Sequence, residues 1–169
     1  LLSLVKLDKK AADLNIAEVD INEMLENILK RLNPIASVKH VELVLESFRP
    51  VVAEIDEVKL SLAFSNLIEN GIKYNVENGY VHVKLDADHK YFFVTVTDSG
   101  IGIPEESIDK IFERFYRVDK SHSREIGGTG LGLAITRSAI VMHRGAIKVK
   151  SEEHKGTTFS VRIPLTYIA

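Results

Sequence analysis

The chain has 169 residues, 45% hydrophobic and 27% charged, with a formal net charge of −2, which fits one globular domain with a sizeable core. That near-neutral balance argues against nucleic acid or an anionic membrane as the main partner. Cys is absent, which excludes disulfides, thiolate zinc sites and cysteine nucleophiles, and no apolar run has the length of a membrane span or the form of a signal peptide, so a cytoplasmic location is expected.

The opening LLSLVKLD reads as the end of a helix, with Leu1, Leu2 and Val5 on one side. No capping signal starts it, so the natural chain is expected to begin earlier. A second helix follows from the N-cap Asp20, with Glu23 at capping-box spacing, through MLENILKRL. VELVLE and VVAEI are short β-rich runs separated by a turn at Arg49-Pro50. DEVKLSLAFSNLIENGIKYN predicts a long helix capped by Asp56 and ending near Asn75, with Leu60, Phe64, Leu67, Ile68, Gly71 and Ile72 on its core face. VHVKLDADHKYFFVTVTD predicts a hairpin that turns over Ala87 to Lys90. A polar stretch from Pro104 to Gly128 leads to a helix, LGLAITRSAIVMH, and then to two strands, AIKVKSE and TTFSVRIPL. This irregular interleaving predicts a two-layer α/β sandwich: one mixed sheet with helices on one face.

Three features point to chemistry. On the long helix Asn66, Asn70 and Lys73 form a single polar stripe opposite the core face. A solvated face is the plain reading of such a stripe, but Asn is a poor helix former and Lys or Glu is the usual choice there. The other two features are glycine clusters, DSGIGIP (Asp98 to Pro104) and GGTGLGL (Gly127 to Leu133), of the kind that brings backbone close to a phosphate or a base. Neither fits the Rossmann pattern, and a Walker P-loop and the protein-kinase loops are absent.

NLIENGIKYN, DSGIGIP, IFERFYR and GGTGLGLAI, in that order, resemble the N, G1, F and G2 boxes of the sensor histidine kinases of two-component systems, and GTTFSVRIPL resembles the closing strand of their ATP-binding domain. The resemblance covers roughly residues 15 to 165 and implies the Bergerat ATP-binding fold. By motif match, Asn70 would give its amide oxygen to Mg2+, with Asn66 and Lys73 along the same triphosphate channel. Tyr74 would cover the adenine or ribose edge. Asp98 would accept a hydrogen bond from the adenine amino group, with Thr158 nearby through water. Gly100 and Gly102 would let the loop pass the base, and Ile103 would pack on it. Gly128, Gly130 and Gly132 would set backbone amides against the phosphates, with Tyr116, Thr129, Leu131 and Leu133 in the same binding set. Residues 104–129 would form a lid anchored by Phe112 and Phe115, and Arg117, with Arg114 second, would bring a cation to the γ-phosphate. Glu69 would assist the acceptor histidine, so the implied catalytic set is Asn66, Glu69, Lys73 and Arg117.

The resemblance also implies what surrounds the chain. Hydrolases of the wider superfamily carry a glutamate where Asn66 stands, and an amide cannot take a proton from water, which favours phosphotransfer over hydrolysis. His40, His82, His89, His122, His143 and His154 all lack the context of an acceptor histidine and read as surface or packing residues. Residues 1–14 would then be the end of the second helix of a truncated dimerisation domain, and 15–169 the catalytic ATP-binding domain, a monomer or a weak dimer by itself. Its partners would be the histidine-bearing dimerisation domain and a response regulator, with a membrane reached only through other parts of the parent sensor. Two alternatives stand beside this reading: a nucleotide-binding docking module without kinase activity, and an anti-sigma-type serine kinase. Gly71 in place of the usual Ala, and His143-Arg144-Gly145 in place of His-Gly-Gly, are the departures from the family pattern.

Overall fold

In the computed structural model, which describes residues 13–114, 116 and 132–168, the period-2 runs become strands whose alternate side chains are buried. Strand β4 (Tyr80–Ala87) buries Val81, Val83 and Leu85; β5 (Tyr91–Asp98) buries Phe92, Val94 and Val96; β7 (Gly156–Pro164) buries Phe159, Val161 and Ile163. With β2 (Glu42–Ser47) and β6 (Ala146–Glu152) they form a five-stranded sheet of order β2-β4-β5-β7-β6. The β2–β4 pairing is parallel and the others are antiparallel, so the sheet is mixed, as expected. The residues of opposite parity are less buried or exposed, consistent with helices covering one face.

Helices α1 (Ile21–Val38), α2 (Glu57–Lys73) and α3 (Gly132–Met142) form the second layer. Both sequence-read caps are present: Asp20 Oδ1 accepts from the Glu23 N–H at 3.0 Å, and Asp56 Oδ1 from the Lys59 N–H at 3.0 Å. The six residues assigned to the core face of α2 are all buried. Helix α1 runs past Leu32 to Val38 with Pro34 inside it; burial of Ala36 under the last turn holds a segment that proline alone would end. A strand with no sequence signal, β1 (Ala17–Asp20), pairs antiparallel with β3 (Val52–Ile55) in a separate two-stranded sheet. Only Val19 of its four residues is buried, too little to give a readable period.

Helices α2 and α3 run antiparallel, bonded at three levels. The Asn66 amide donates to the Gly132 carbonyl, the Thr136 hydroxyl donates to the Ala63 carbonyl, and the Asp56 N–H donates to His143 Nε2 at 3.0 Å. His143 is buried, and its Nδ1 bonds the Ala139 carbonyl at 2.7 Å, which makes it a neutral packing residue with both ring nitrogens engaged. In the turn His143-Arg144-Gly145, Arg144 adopts a left-handed φ of 65°, a conformation that glycine takes without strain. Residues 1–12 of the segment 1–14 expected to end a helix, and Phe115, Arg117 and most of the second glycine cluster, lie outside the described residues.

Candidate nucleotide site

The site is built where the C-terminal half of α2 meets the end of β5. Asp98 ends β5 on the helix-facing parity, with its Cβ about where a methyl on Gly71 would reach, at 3.5 Å. Its carboxylate is held by two backbone donors, the Gly100 N–H at 2.8 Å and the Thr157 N–H at 3.3 Å. Both fall on Oδ1, which leaves Oδ2 for a ligand among the described residues. Burial pushes the Asp98 carboxyl up to about 6, against the lowering effect of those two donors. A desolvated carboxylate with one uncommitted oxygen is suited to recognise a neutral hydrogen-bond donor.

Thr158 requires a correction. The register pairs Asp98 with Thr157 and Thr97 with Thr158, and the Thr158 hydroxyl bonds the Thr97 hydroxyl at 3.2 Å. Because successive side chains on a strand point to opposite faces, Thr158 lies on the sheet face away from Asp98. Thr157 is the residue beside the carboxylate, buried and bonded through its hydroxyl to Ser151 at 2.8 Å. Counting parity back from the buried Phe159 would have found it.

The glycines of the first cluster have steric reasons within the chain. A Cβ on Gly100 would lie 2.4 Å from the Tyr74 carbonyl oxygen, and one on Gly102, at φ 72°, would lie 2.1 Å from the Glu152 carbonyl oxygen. The loop is therefore pressed against the end of α2 on one side and β6 on the other. Ile103 is half-buried against the core, its N–H bonded to the Ser151 hydroxyl at 2.8 Å. Tyr116 also packs on the core, and its hydroxyl bonds Ser107 at 2.8 Å, in a 3-10 helix over Glu105–Lys110.

Along α2, Asn66, Glu69, Asn70 and Lys73 are all half-buried, and Tyr74 is the half-buried C-cap. The Asn66 amide nitrogen reaches the Gly132 carbonyl at 3.3 Å and the Thr136 hydroxyl at 3.4 Å, so the polar stripe meets the beginning of α3. Lys73 Nζ is 4.0 Å from Glu69 Oε2, a loose pair on partly exposed side chains. Lys39 Nζ donates to the Lys73 carbonyl at 2.8 Å and adds positive charge at the C-terminal end of α2, where the helix dipole favours it. Leu133 packs on the core next to Gly132. Gly128, Thr129, Gly130, Leu131 and Arg117 lie outside the described residues. No cluster of three or more His, Cys, Asp or Glu that could hold a metal occurs among the described residues. No helix among them is long and apolar enough to cross a membrane.

Residues 55–167 match the family described as histidine kinase-, DNA gyrase B-, and HSP90-like ATPases. The chain belongs to that ATPase family. It is 38% identical over 167 residues to the sensor histidine kinase WalK of Bacillus subtilis, an alignment that covers 97% of this chain and 27% of WalK. The chain thus spans about a quarter of the length of that relative. Its fold is that of histidine kinase catalytic domains: the catalytic domain of ThkA superposes with a TM-score of 0.80 at 28% identity, over 90% of this chain and 97% of that one. ThkA in complex with the response regulator TrrA matches with a TM-score of 0.76 at 25% identity, over 98% of this chain and 47% of that one. Full-length ShkA in complex with AMPPNP matches with a TM-score of 0.86 at 28% identity, over 99% of this chain and 35% of that one.

Proposed function

We propose that this ATPase-family domain binds Mg-ATP at the junction of α2, the Asp98 loop and the start of α3, and donates the γ-phosphoryl group to a histidine on a separate helical domain for relay to a response-regulator aspartate. The observation that carries the reading is the Asp98 carboxylate, desolvated and with Oδ2 uncommitted, set beside the helix turn that bears Asn70 and Lys73. Asp98 Oδ2 accepts the adenine amino proton. Lys73 exchanges its loose contact with Glu69 for phosphate oxygens, and Tyr74 flanks the base or ribose. The residues present fit Mg2+, because a small hard cation takes few protein ligands and completes its shell with phosphates and water. Asn70 would hold it through the amide oxygen, and the ion, when bound, neutralises charge between the β- and γ-phosphates. Asn66 carries no basic group to activate water, which keeps hydrolysis slow, and Glu69 assists the acceptor histidine. Arg117 and the glycines of the second cluster complete the phosphate end.

On this reading residues 1–14 end a dimerisation helix that belongs to the preceding part of a longer cytoplasm-facing sensor kinase, 104–129 cover the nucleotide, and the domain alone is monomeric. The similarity to WalK and to ThkA in its regulator complex supports it. The test is calorimetric titration with ADP and a non-hydrolysable ATP analogue, with and without Mg2+, followed by phosphotransfer to a histidine-bearing helical domain. Micromolar binding tightened by Mg2+ and an acid-labile, base-stable phosphohistidine are expected. Binding without transfer would favour the docking-module reading, and phosphate on a partner serine would favour the serine-kinase one.

A further inference from the structure

The residue after Tyr74 has no role in the reading so far, yet it is the best-satisfied buried side chain near the site. Asn75 is 4% exposed. Its amide nitrogen donates to the Gly71 carbonyl at 2.9 Å and the Tyr80 carbonyl at 2.8 Å. Its oxygen accepts from the Val76 N–H at 2.8 Å and from the Ser99 hydroxyl at 3.0 Å. Both amide protons and both lone pairs are thus engaged, and they join the end of α2, the start of β4 and the loop after β5.

The Ser99 hydroxyl in turn accepts the Tyr80 N–H at 2.8 Å, and the Ser99 N–H donates to the Tyr80 carbonyl at 3.2 Å. Ser99 is the middle residue of the turn in which the Gly100 N–H grips Asp98 Oδ1. Two neighbouring features fit the same bracket. A Cβ on Gly79 would lie 2.0 Å from Asn75 Oδ1 and 2.6 Å from the Ser99 hydroxyl, so the chain passes flush over the Asn75–Ser99 pair. The Ile101 N–H bonds the Tyr74 carbonyl at 3.0 Å, closing the loop on its other side.

We infer that Asn75 is a positioning residue: acting through Ser99, it fixes the Asp98 turn so that Oδ2 meets a base amino group, and base selectivity depends on it. The inference rests on the proposed role of Asp98 in reading adenine. A donor and a carboxylate must meet within a few tenths of an ångström and near linearity, so a turn that drifts loses the bond while the rest of the site stays. A base with a carbonyl in place of the amino group has no such bond to lose.

The experiment compares ADP and GDP affinities by calorimetry for the whole chain, for Asn75→Ala, for Ser99→Ala and for the double variant, with thermal unfolding of each. Ser99→Ala keeps the packing of Asn75 against α2 and β4, so it reports on the link even where Asn75→Ala folds poorly. Loss of one aligned hydrogen bond predicts that each single variant binds ADP about five- to tenfold more weakly, with GDP binding nearly unchanged. The double variant should lose no more than the weaker single, because the two residues act in series. If the wild-type chain prefers ADP and both single variants keep that preference, Asn75 only supports the fold and the inference is wrong. If the wild-type chain does not distinguish ADP from GDP, the adenine role of Asp98 fails first and the inference falls with it.

Discussion

Asp98 should make nucleotide binding depend on pH in a range where few carboxylates titrate. Its two backbone donors both bond Oδ1, and its carboxyl sits at about 6 because it is desolvated. With that value the group is about 90% ionised at pH 7 and about 10% ionised at pH 5. If only the ionised form accepts the adenine amino proton, apparent affinity falls about tenfold between pH 7 and pH 5, because it scales with the competent fraction. Adenosine is the probe of choice, since its lack of phosphates removes their own titration from the same range. Asp98→Asn removes the dependence: its amide oxygen keeps the Gly100 and Thr157 bonds, and its NH2 then faces the adenine amino group, donor against donor. Loss of the charge-assisted bond, roughly 1.5–3 kcal/mol, weakens binding about 10- to 150-fold at pH 8. Circular dichroism across pH 5–8 checks that the domain stays folded. Adenosine affinity that is flat from pH 8 to pH 5, or that rises, would refute the assignment of an ionised Asp98 to the base.

Asn70→Ala should bind the triphosphate analogue with the same affinity in Mg2+ and in EDTA, whereas the parent chain binds more tightly with Mg2+; paired titrations decide it. His143→Ala leaves the Asp56 N–H without its acceptor and should cost about 1–3 kcal/mol in urea unfolding, before any cavity term. In the parent chain burial holds the His143 pKa below the usual 6.5, so its contribution is fully present above pH 6.5 and is lost as pH falls through the lower folded value. Urea midpoints measured between pH 8 and pH 5 should therefore decline in the parent more than in His143→Ala. Gly102→Ala combines a left-handed φ of 72° with a Cβ 2.1 Å from the Glu152 carbonyl oxygen, and should lower stability by more than about 1 kcal/mol in the same assay.

Much of this architecture can be read from the chain because local and long-range signals agree. The apolar period of α2, its Asp56 cap and the alternation of β4 and β5 each have one solution, and the sheet adopts it. The stripe of Asn66, Asn70 and Lys73 stands out because two amides are poor choices for an exposed helix. The parts missed have physical reasons. Strand β1 is four residues long with one buried side chain, and its partner lies more than thirty residues away. Pro34 looks like a stop in isolation, but the packing of Ala36 overrides it. Motif position points to Thr158, whereas the register sets Thr157 beside Asp98, because one residue along a strand changes the face. Asn75 and Ser99 carry no special spacing, and their importance arises only when α2, β4 and β5 come together.

The Thr157 N–H that grips Asp98 comes from β7, 59 residues further along the chain. Among the described residues, β7 is also the one strand that joins β6 to the rest of the sheet. The base end of the site is therefore complete only when β7 is in place. During synthesis Asp98 has only the local Gly100 N–H until β7 has left the ribosome, so its second backbone donor arrives with the last strand of the sheet.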